Sequence, residues 1–302
     1  MKDVIQTRDL YFQYPRGPVI AQGIDLSVPQ GSVFGLLGEN GAGKSSLLRL
    51  LTGLLQPQRG SISLLGHALP VAQRSVFQQL GLMLEHPRLY PNLTAREYLQ
   101  VMATYRDLPT SRCRLVLEKT ALLRYADQRI KTFSTGMQQR LSLAQALLPG
   151  GALLLLDEPT NGMDPSGIAL VRQLLHRERE RGTTVVLSSH LLTELEQVCT
   201  HLGILHQGDL LFQGTLPELQ ALQTEALRLR VICSEPQVAA QLLREQFWKT
   251  ALTANGHLLV DVQHKKAANQ IADLLRAAEI ELYEMYLVRP QLEDLFLKLT
   301  AP

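Results

Sequence analysis

The sequence predicts an α/β domain followed by a small α+β domain, and three observations carry that expectation. Short apolar runs at residues 32–37, 80–84, 153–156 and 183–187 are separated by helical segments. Strands with so little polar alternation belong to a sheet covered on both faces. Near the start, residues 9–14 and 24–28 read as strands around the turn-rich Pro15-Arg16-Gly17-Pro18, which adds an antiparallel contribution. After Leu219 the pattern changes to the order β-α-β-β-α-β of a ferredoxin-like domain.

Taken in order, residues 9–14 and 24–28 are the first strands and 32–37 the first buried one. A glycine-rich loop and a helix at 46–55 follow, then a strand at 80–84. From Thr94 to Tyr125 the pattern is mostly helical, in two segments split at Pro109. The 16 residues 141–156 carry no charge, but they fall short of a span of about 20 and are interrupted by Pro149-Gly150-Gly151. They read as helix, turn and buried strand. In the tail, the alternation Ala226-Leu227-Arg228-Leu229-Arg230-Val231 is a half-exposed strand, and Pro236 opens a helix to about Gln246. Strands at 247–253 and 257–262 meet at the hairpin dipeptide Asn255-Gly256. A helix at 265–277, a strand at 280–288 and an amphipathic helix after Pro290, with Leu292, Leu295, Phe296 and Leu299 at helical spacing, complete the chain.

Composition narrows the function. The 302 residues hold 30 Lys+Arg against 28 Asp+Glu, a net charge of +2, which lacks the basic excess of a dedicated nucleic-acid binder. The N-terminus shows no basic segment before an apolar core, so the expected location is inside the cell. Cys113, Cys199 and Cys233 are far apart, which argues against a disulfide framework or a zinc site.

The strongest motif is Gly38-Glu39-Asn40-Gly41-Ala42-Gly43-Lys44-Ser45, a match to G-x-x-x-x-G-K-[ST] between a strand-like and a helix-like run. Glycines let the backbone curl so that N–H groups point at phosphate, and a helix N-terminus adds a favourable dipole. Lys44 is expected on the β- and γ-phosphates and the Ser45 hydroxyl on Mg²⁺, with Ser46 completing the set of nucleotide contacts. The run Leu153-Leu154-Leu155-Leu156 ends in Asp157-Glu158, delivering two carboxylates to the edge of an open sheet where ligands bind. Asp157 would hold the Mg²⁺ shell, and Glu158 would act on the attacking water as base or orienter.

Shortly before that strand, Phe133-Ser134-Thr135-Gly136-Met137-Gln138-Gln139-Arg140 resembles the signature of the ATP-binding cassette (ABC) family, usually written LSGGQ. Ser134 and Gly136 match; Thr135 stands where glycine is usual and Met137 where glutamine is. The resemblance implies a P-loop domain over residues 1–220, with a mixed sheet, an antiparallel β subdomain and a helical subdomain at about 86–150. It implies that Ser134, Thr135 and Gly136 reach the γ-phosphate held by another subunit, that Tyr14 stacks on adenine and that Asp164 lies on a loop crossing the dimer interface. His190 matches the switch histidine on the γ-phosphate. Glu85 replaces the usual glutamine as a contact to Mg²⁺ or a water. The cofactors implied are ATP and Mg²⁺.

The tail, residues 221–302, resembles the appendage of cassette subunits that serve separately encoded export permeases. The partners implied are a second copy or a homologous ATPase subunit, and an integral membrane permease contacted around residues 89–98. The chain would then be cytoplasmic, peripheral on the inner face of the membrane. The alternative is a soluble cassette ATPase acting on a ribosome, DNA or a protein assembly. Against it, the chain shows neither a second cassette nor a long coiled-coil insertion before the signature.

Overall fold

The computed structural model describes residues 2–69, 74–84, 89–222, 227–253 and 255–288, together with 296, 299 and 300. Two compact units divide the chain, Met1–Glu218 and Leu219–Pro302.

In the first unit the chain runs β1 (Asp3–Gln13), β2 (Val19–Ile24), β3 (Ser27–Pro29), β4 (Val33–Leu37), α1 (Lys44–Leu51), β5 (Arg59–Leu64), β6 (His67–Leu69), α2 (Arg74–Gln78) and β7 (Leu80–Met83). It continues through α3 (Ala95–Tyr105), α4 (Ser111–Lys119), α5 (Thr135–Leu147), β8 (Leu153–Leu156), α6 (Pro165–Glu180), β9 (Thr184–Ser189), α7 (Leu192–Leu195), β10 (His201–His206) and β11 (Asp209–Thr215), after which α8 (Leu216–Ala221) begins.

Two sheets form. The larger has the order β11-β10-β4-β9-β8-β7. Its pairings from β10 to β7 are parallel, and β11 joins antiparallel to β10. Every residue of β4, β8 and β9 is buried; β4 and β8 are accordingly unbroken apolar runs, while β9 has an apolar centre and ends in Ser188 and Ser189. The registers Leu37↔Ser189 and Leu156↔Leu187 bring the C-terminal ends of these three strands side by side. The loops after them therefore share one edge, where ligands of open α/β sheets bind. The smaller, antiparallel sheet has the order β2-β1-β5-β6, with β3 also on β1.

Several boundaries differ from expectation. Residues 24–28 are not one strand: Asp25 leaves the ladder to accept the Asp9 N–H at 2.7 Å, and Leu26 turns into the core with its N–H on Thr7 Oγ1 at 2.8 Å. The helix after the glycine-rich loop starts at Lys44 and ends at Leu51, rather than covering 46–55. Strands β5, β6, β10 and β11 had no reading in the sequence. Their hairpin turns, Leu65-Gly66 and Gln207-Gly208, have both residues at positive φ, the two-residue geometry that fits strand twist, but without the Asn-Gly or Asp-Gly mark.

In the helical region, Thr94 and Glu97 form a reciprocal capping box at the start of α3. Within the segment expected to meet a permease, Tyr98 is buried and donates its hydroxyl to Gln145. Burial pushes that phenol up to about 12. Tyr90 packs edge-on against it at 5.9 Å and is exposed. Glu85 lies outside the described residues.

The second unit runs β12 (Leu227–Cys233), α9 (Pro236–Glu245), β13 (Thr250–Leu252), β14 (Leu258–Val262), α10 (Ala267–Ala277) and β15 (Leu282–Val288). The sheet order β13-β14-β12-β15, with all neighbours antiparallel, is the ferredoxin-like arrangement. Leu229, Val231, Leu243, Val260, Ile271 and Leu275 form its core. The strand expected from residue 247 begins only at Thr250. Phe247, at φ 65, closes α9 through Phe247 N–H to Arg244 O and Trp248 N–H to Leu243 O. Of the expected terminal helix, Leu292 and Leu295 lie outside the described residues. Among the described residues, no helix is long and apolar enough to cross a membrane.

Candidate functional site

The loop between β4 and α1 is tight enough to dictate glycine at two places. A Cβ on Gly38 would sit 2.7 Å from the Leu205 carbonyl oxygen, and one on Gly43, at φ +103, 2.9 Å from the Ile20 oxygen. No side chain caps α1 at Gly43, so its first-turn N–H groups remain available to an anion. Gly43→Ala is expected to weaken ATP binding by roughly tenfold or more, because left-handed backbone with a Cβ costs about 1–2 kcal/mol before the clash is counted. Equilibrium titration with a fluorescent ATP analogue checks this.

Lys44 opens α1 and is only 6% exposed. Its Nζ donates to the carbonyls of Gly38 at 2.7 Å and Glu39 at 3.2 Å, and lies 3.4 Å from Glu158 Oε1. The other carboxylate oxygen of Glu158, Oε2, is 3.0 Å from His190 Nδ1. One carboxylate is thus held between an ammonium from the start of α1 and an imidazole from the segment after β9.

The backbone of Glu158 is fixed as firmly as its side chain. It has φ 46, a left-handed conformation that non-glycine residues keep only when their surroundings over-determine it. Its N–H donates to Ser188 Oγ at 2.8 Å, and its carbonyl accepts from Gln139 Nε2 at 3.0 Å. The Ser188 hydroxyl in turn donates to Asp157 Oδ1 at 2.7 Å. Ser188 therefore ties the Asp157 carboxylate to the Glu158 backbone, and Gln139 ties α5 to that same backbone.

These residues face a cavity of about 680 Å³, whose walls include Tyr14, Gly41, Lys44, Ser45, Glu158 and His190. The Tyr14 ring is positioned by its hydroxyl, 3.2 Å from Ser46 Oγ, and by an edge contact to Phe12 at 4.9 Å. Glu39 and Asn40 are exposed at the rim, and Ala42 is buried beneath the loop. A smaller cavity in the second unit, about 420 Å³, has its carboxylate Asp261 paired with Arg228 and holds no comparable constellation.

Ser134, Thr135 and Gly136 do not line the larger cavity. They form the start of α5, where the exposed Ser134 accepts the Met137 N–H at 3.3 Å. Thr135 packs against the loop at Gly162, its Cγ2 3.1 Å from where a Gly162 Cβ would stand. Asp164 is also away from the cavity and caps α6, accepting from Gly167 N–H at 2.9 Å and the Ser166 hydroxyl at 2.8 Å. Those bonds, the Ser166 one first, hold its carboxyl below the usual carboxylate range.

Ser188, Gln139 and Asn161 belong to no sequence position with an expected role. A polar residue at a fully buried strand end, or on the buried side of α5, was the available signal for the first two. Asn161 lines the cavity from the turn after Glu158, and nothing in the sequence marks it. Among the described residues no cluster of three or more His, Cys, Asp or Glu side chains forms a metal cage. The Ser45 hydroxyl and Asp157 carboxylate are hard oxygen donors that fit Mg²⁺, which is usually held by one or two protein groups together with phosphate and water.

A phosphate-binding loop running from β4 into a helix, two carboxylates at the end of β8 and a histidine after β9, the strand between them, define a P-loop nucleotide-binding domain. A family model described as ABC transporter matches residues 21–161. The chain is 32% identical over 302 residues to the ABC transporter ATP-binding protein YcbN of Bacillus subtilis (strain 168), covering 99% of this chain and 97% of that one. It is 33% identical over 302 residues to the bacitracin transport ATP-binding protein BcrA of Bacillus licheniformis, covering 99% and 98%. A solved ATP binding subunit of an ABC transporter superposes with a TM-score of 0.67 at 30% identity, covering 72% of this chain and 92% of that one. The chain belongs to the ABC transporter ATP-binding proteins: it binds and hydrolyses ATP as the ATPase subunit of such a transporter.

Proposed function

We propose that two copies of this subunit, or one copy and a homologous subunit, close around two ATP molecules and open after hydrolysis, driving an export permease. The observation that carries this is the Lys44–Glu158–His190 chain on the cavity of about 680 Å³. In this reading residues 1–220 are the nucleotide-binding domain and 221–302 its appendage.

Tyr14 meets the adenine, and the loop from Gly38 to Gly43, with Ser45 and Ser46, holds the phosphates. The Lys44 ammonium, already desolvated, pairs with the β- and γ-phosphates. Ser45 and Asp157 hold Mg²⁺, which neutralises charge on the phosphate oxygens when bound. Glu158 orients the attacking water and accepts its proton as the water oxygen bonds to the γ-phosphorus and the bond to the leaving β-phosphate oxygen breaks. His190 keeps the Glu158 carboxylate directed through Nδ1 and presents its other face to the γ-phosphate. Glu85 completes the Mg²⁺ or water contact.

Ser134 and Thr135 stand exposed and Gly136 half-buried, away from the cavity of their own chain. That placement supports their acting on the γ-phosphate of a partner subunit, with Asp164 alongside on the loop that α5 packs against. The γ-phosphate then supplies the contact that distinguishes closed from open dimers.

In this reading the membrane part of the transporter is a separate permease. The segment at 89–98, with Tyr90 exposed, is the proposed contact, and in this reading the subunit is peripheral on the cytoplasmic face of the membrane. Similarity to the bacitracin transport protein over nearly the whole chain supports a transporter of that sort. Expressed with its transporter and extracted in detergent, the subunit is expected to co-purify with a protein carrying several apolar spans of about 20 residues. Recovery with ribosomes instead would overturn this reading.

A further inference from the structure

We propose that Glu194 is a positioning residue for ATP hydrolysis, its carboxylate clamping the turn after Glu158 to the strand end before His190. The proposal rests on the roles given above to Glu158 and His190.

Glu194 lies on the short helix α7, and its Oε2 accepts two hydroxyl hydrogen bonds, from Thr160 Oγ1 at 2.8 Å and from Ser189 Oγ at 3.2 Å. Ser189 Oγ also accepts the Leu191 N–H at 3.0 Å. A single hydroxyl therefore joins the residues on either side of His190 and hands that connection to Glu194. Thr160 stands two residues after Glu158, in a turn closed by Asn161 N–H on Glu158 O at 3.1 Å. The two segments that Glu194 ties together are thus the same two that meet inside the cavity through Glu158 Oε2 and His190 Nδ1. Glu194 itself is not on the cavity wall.

Three features favour positioning over a purely structural role. Both bonds are charge-assisted, roughly twice as strong as neutral ones. Glu158 holds a left-handed φ of 46, which needs restraint on both sides. Ser188 and Gln139 bind its own backbone atoms, and the Thr160–Glu194 bond anchors the chain after it. Finally, a shift of about 1 Å in a reacting group costs about a hundredfold in rate, while a group off the cavity wall contributes no contact to bound ATP. Loss of the clamp therefore falls on kcat and spares KM.

The test compares Glu194→Ala, Thr160→Ala, their double variant and Glu194→Gln in the full chain, with Glu158→Gln as reference. Glu194→Ala and Thr160→Ala are expected to lower kcat about tenfold, with KM for ATP within about twofold of the parent. The double variant is expected to be no slower than Glu194→Ala alone, because both remove one clamp. Glu194→Gln, whose amide oxygen can accept both hydroxyls at the Oε2 position, recovers most of the rate. Parental kcat in Glu194→Ala, multiplicative losses in the double variant, or a Glu194→Gln as slow as Glu194→Ala overturns the proposal. Should Glu194→Ala fail to fold, Thr160→Ala and Glu194→Gln test the same clamp. If Glu158→Gln itself turns over normally, the catalytic reading fails; if it is inactive while Glu194→Ala is fully active, only the clamp fails.

Discussion

Glu158→Gln is expected to lower steady-state phosphate release by about a hundredfold or more while ATP binding persists. The amide matches the carboxylate in size, so the cavity wall and the contacts of the residue's backbone with Ser188 and Gln139 remain. What disappears is the proton acceptor and the negative charge between Lys44 and His190. Lys44 keeps its two carbonyl acceptors, Gly38 and Glu39, and gains the phosphates without a competing carboxylate. ATP-bound dimers therefore accumulate, visible as a shift to larger size on gel filtration with MgATP. Parental phosphate release in this variant would remove Glu158 from the reaction.

Lys44→Ala is expected to raise the dissociation constant for ATP about 10- to 100-fold, the range for losing charge-assisted hydrogen bonds worth about 1.5–3 kcal/mol. The substitution also leaves the 8% exposed Glu158 side chain without its cation. Removing one partner of a buried pair leaves an uncompensated charge, so the free protein should unfold several degrees below the parent. The two variants thus separate by readout: one binds and does not turn over, the other barely binds. Isothermal titration with ATP and a thermal melt without nucleotide measure both effects, and normal affinity in Lys44→Ala would contradict the phosphate cradle.

The catalytic edge was legible wherever one residue type has one physical use. Four leucines between the Gly150-Gly151 turn and Asp157-Glu158 make a run too short for a helix and long enough for a buried strand, which puts the two carboxylates at its end. Gly43 is legible because the backbone there excludes a Cβ. Strand β11 was not legible, since alternate residues are half-exposed and mixed in character, and a strand of that kind is recognised by its pairing with β10. Within residues 89–98 the burial of Tyr98 was not legible either, because its partner Gln145 lies 47 residues away on α5.

The sequence by itself determined the family, the phosphate loop, the places along the chain of four buried strands and the two carboxylates, because motifs and apolar patterning act over a few residues. Only the tertiary structure decided that Glu158 sits between Lys44 and His190, that Ser188 and Gln139 hold its backbone, and that Ser134 faces away from its own chain's cavity. Those relations join residues tens of positions apart. They exist only once parallel pairing has brought the ends of β4, β8 and β9 to one edge.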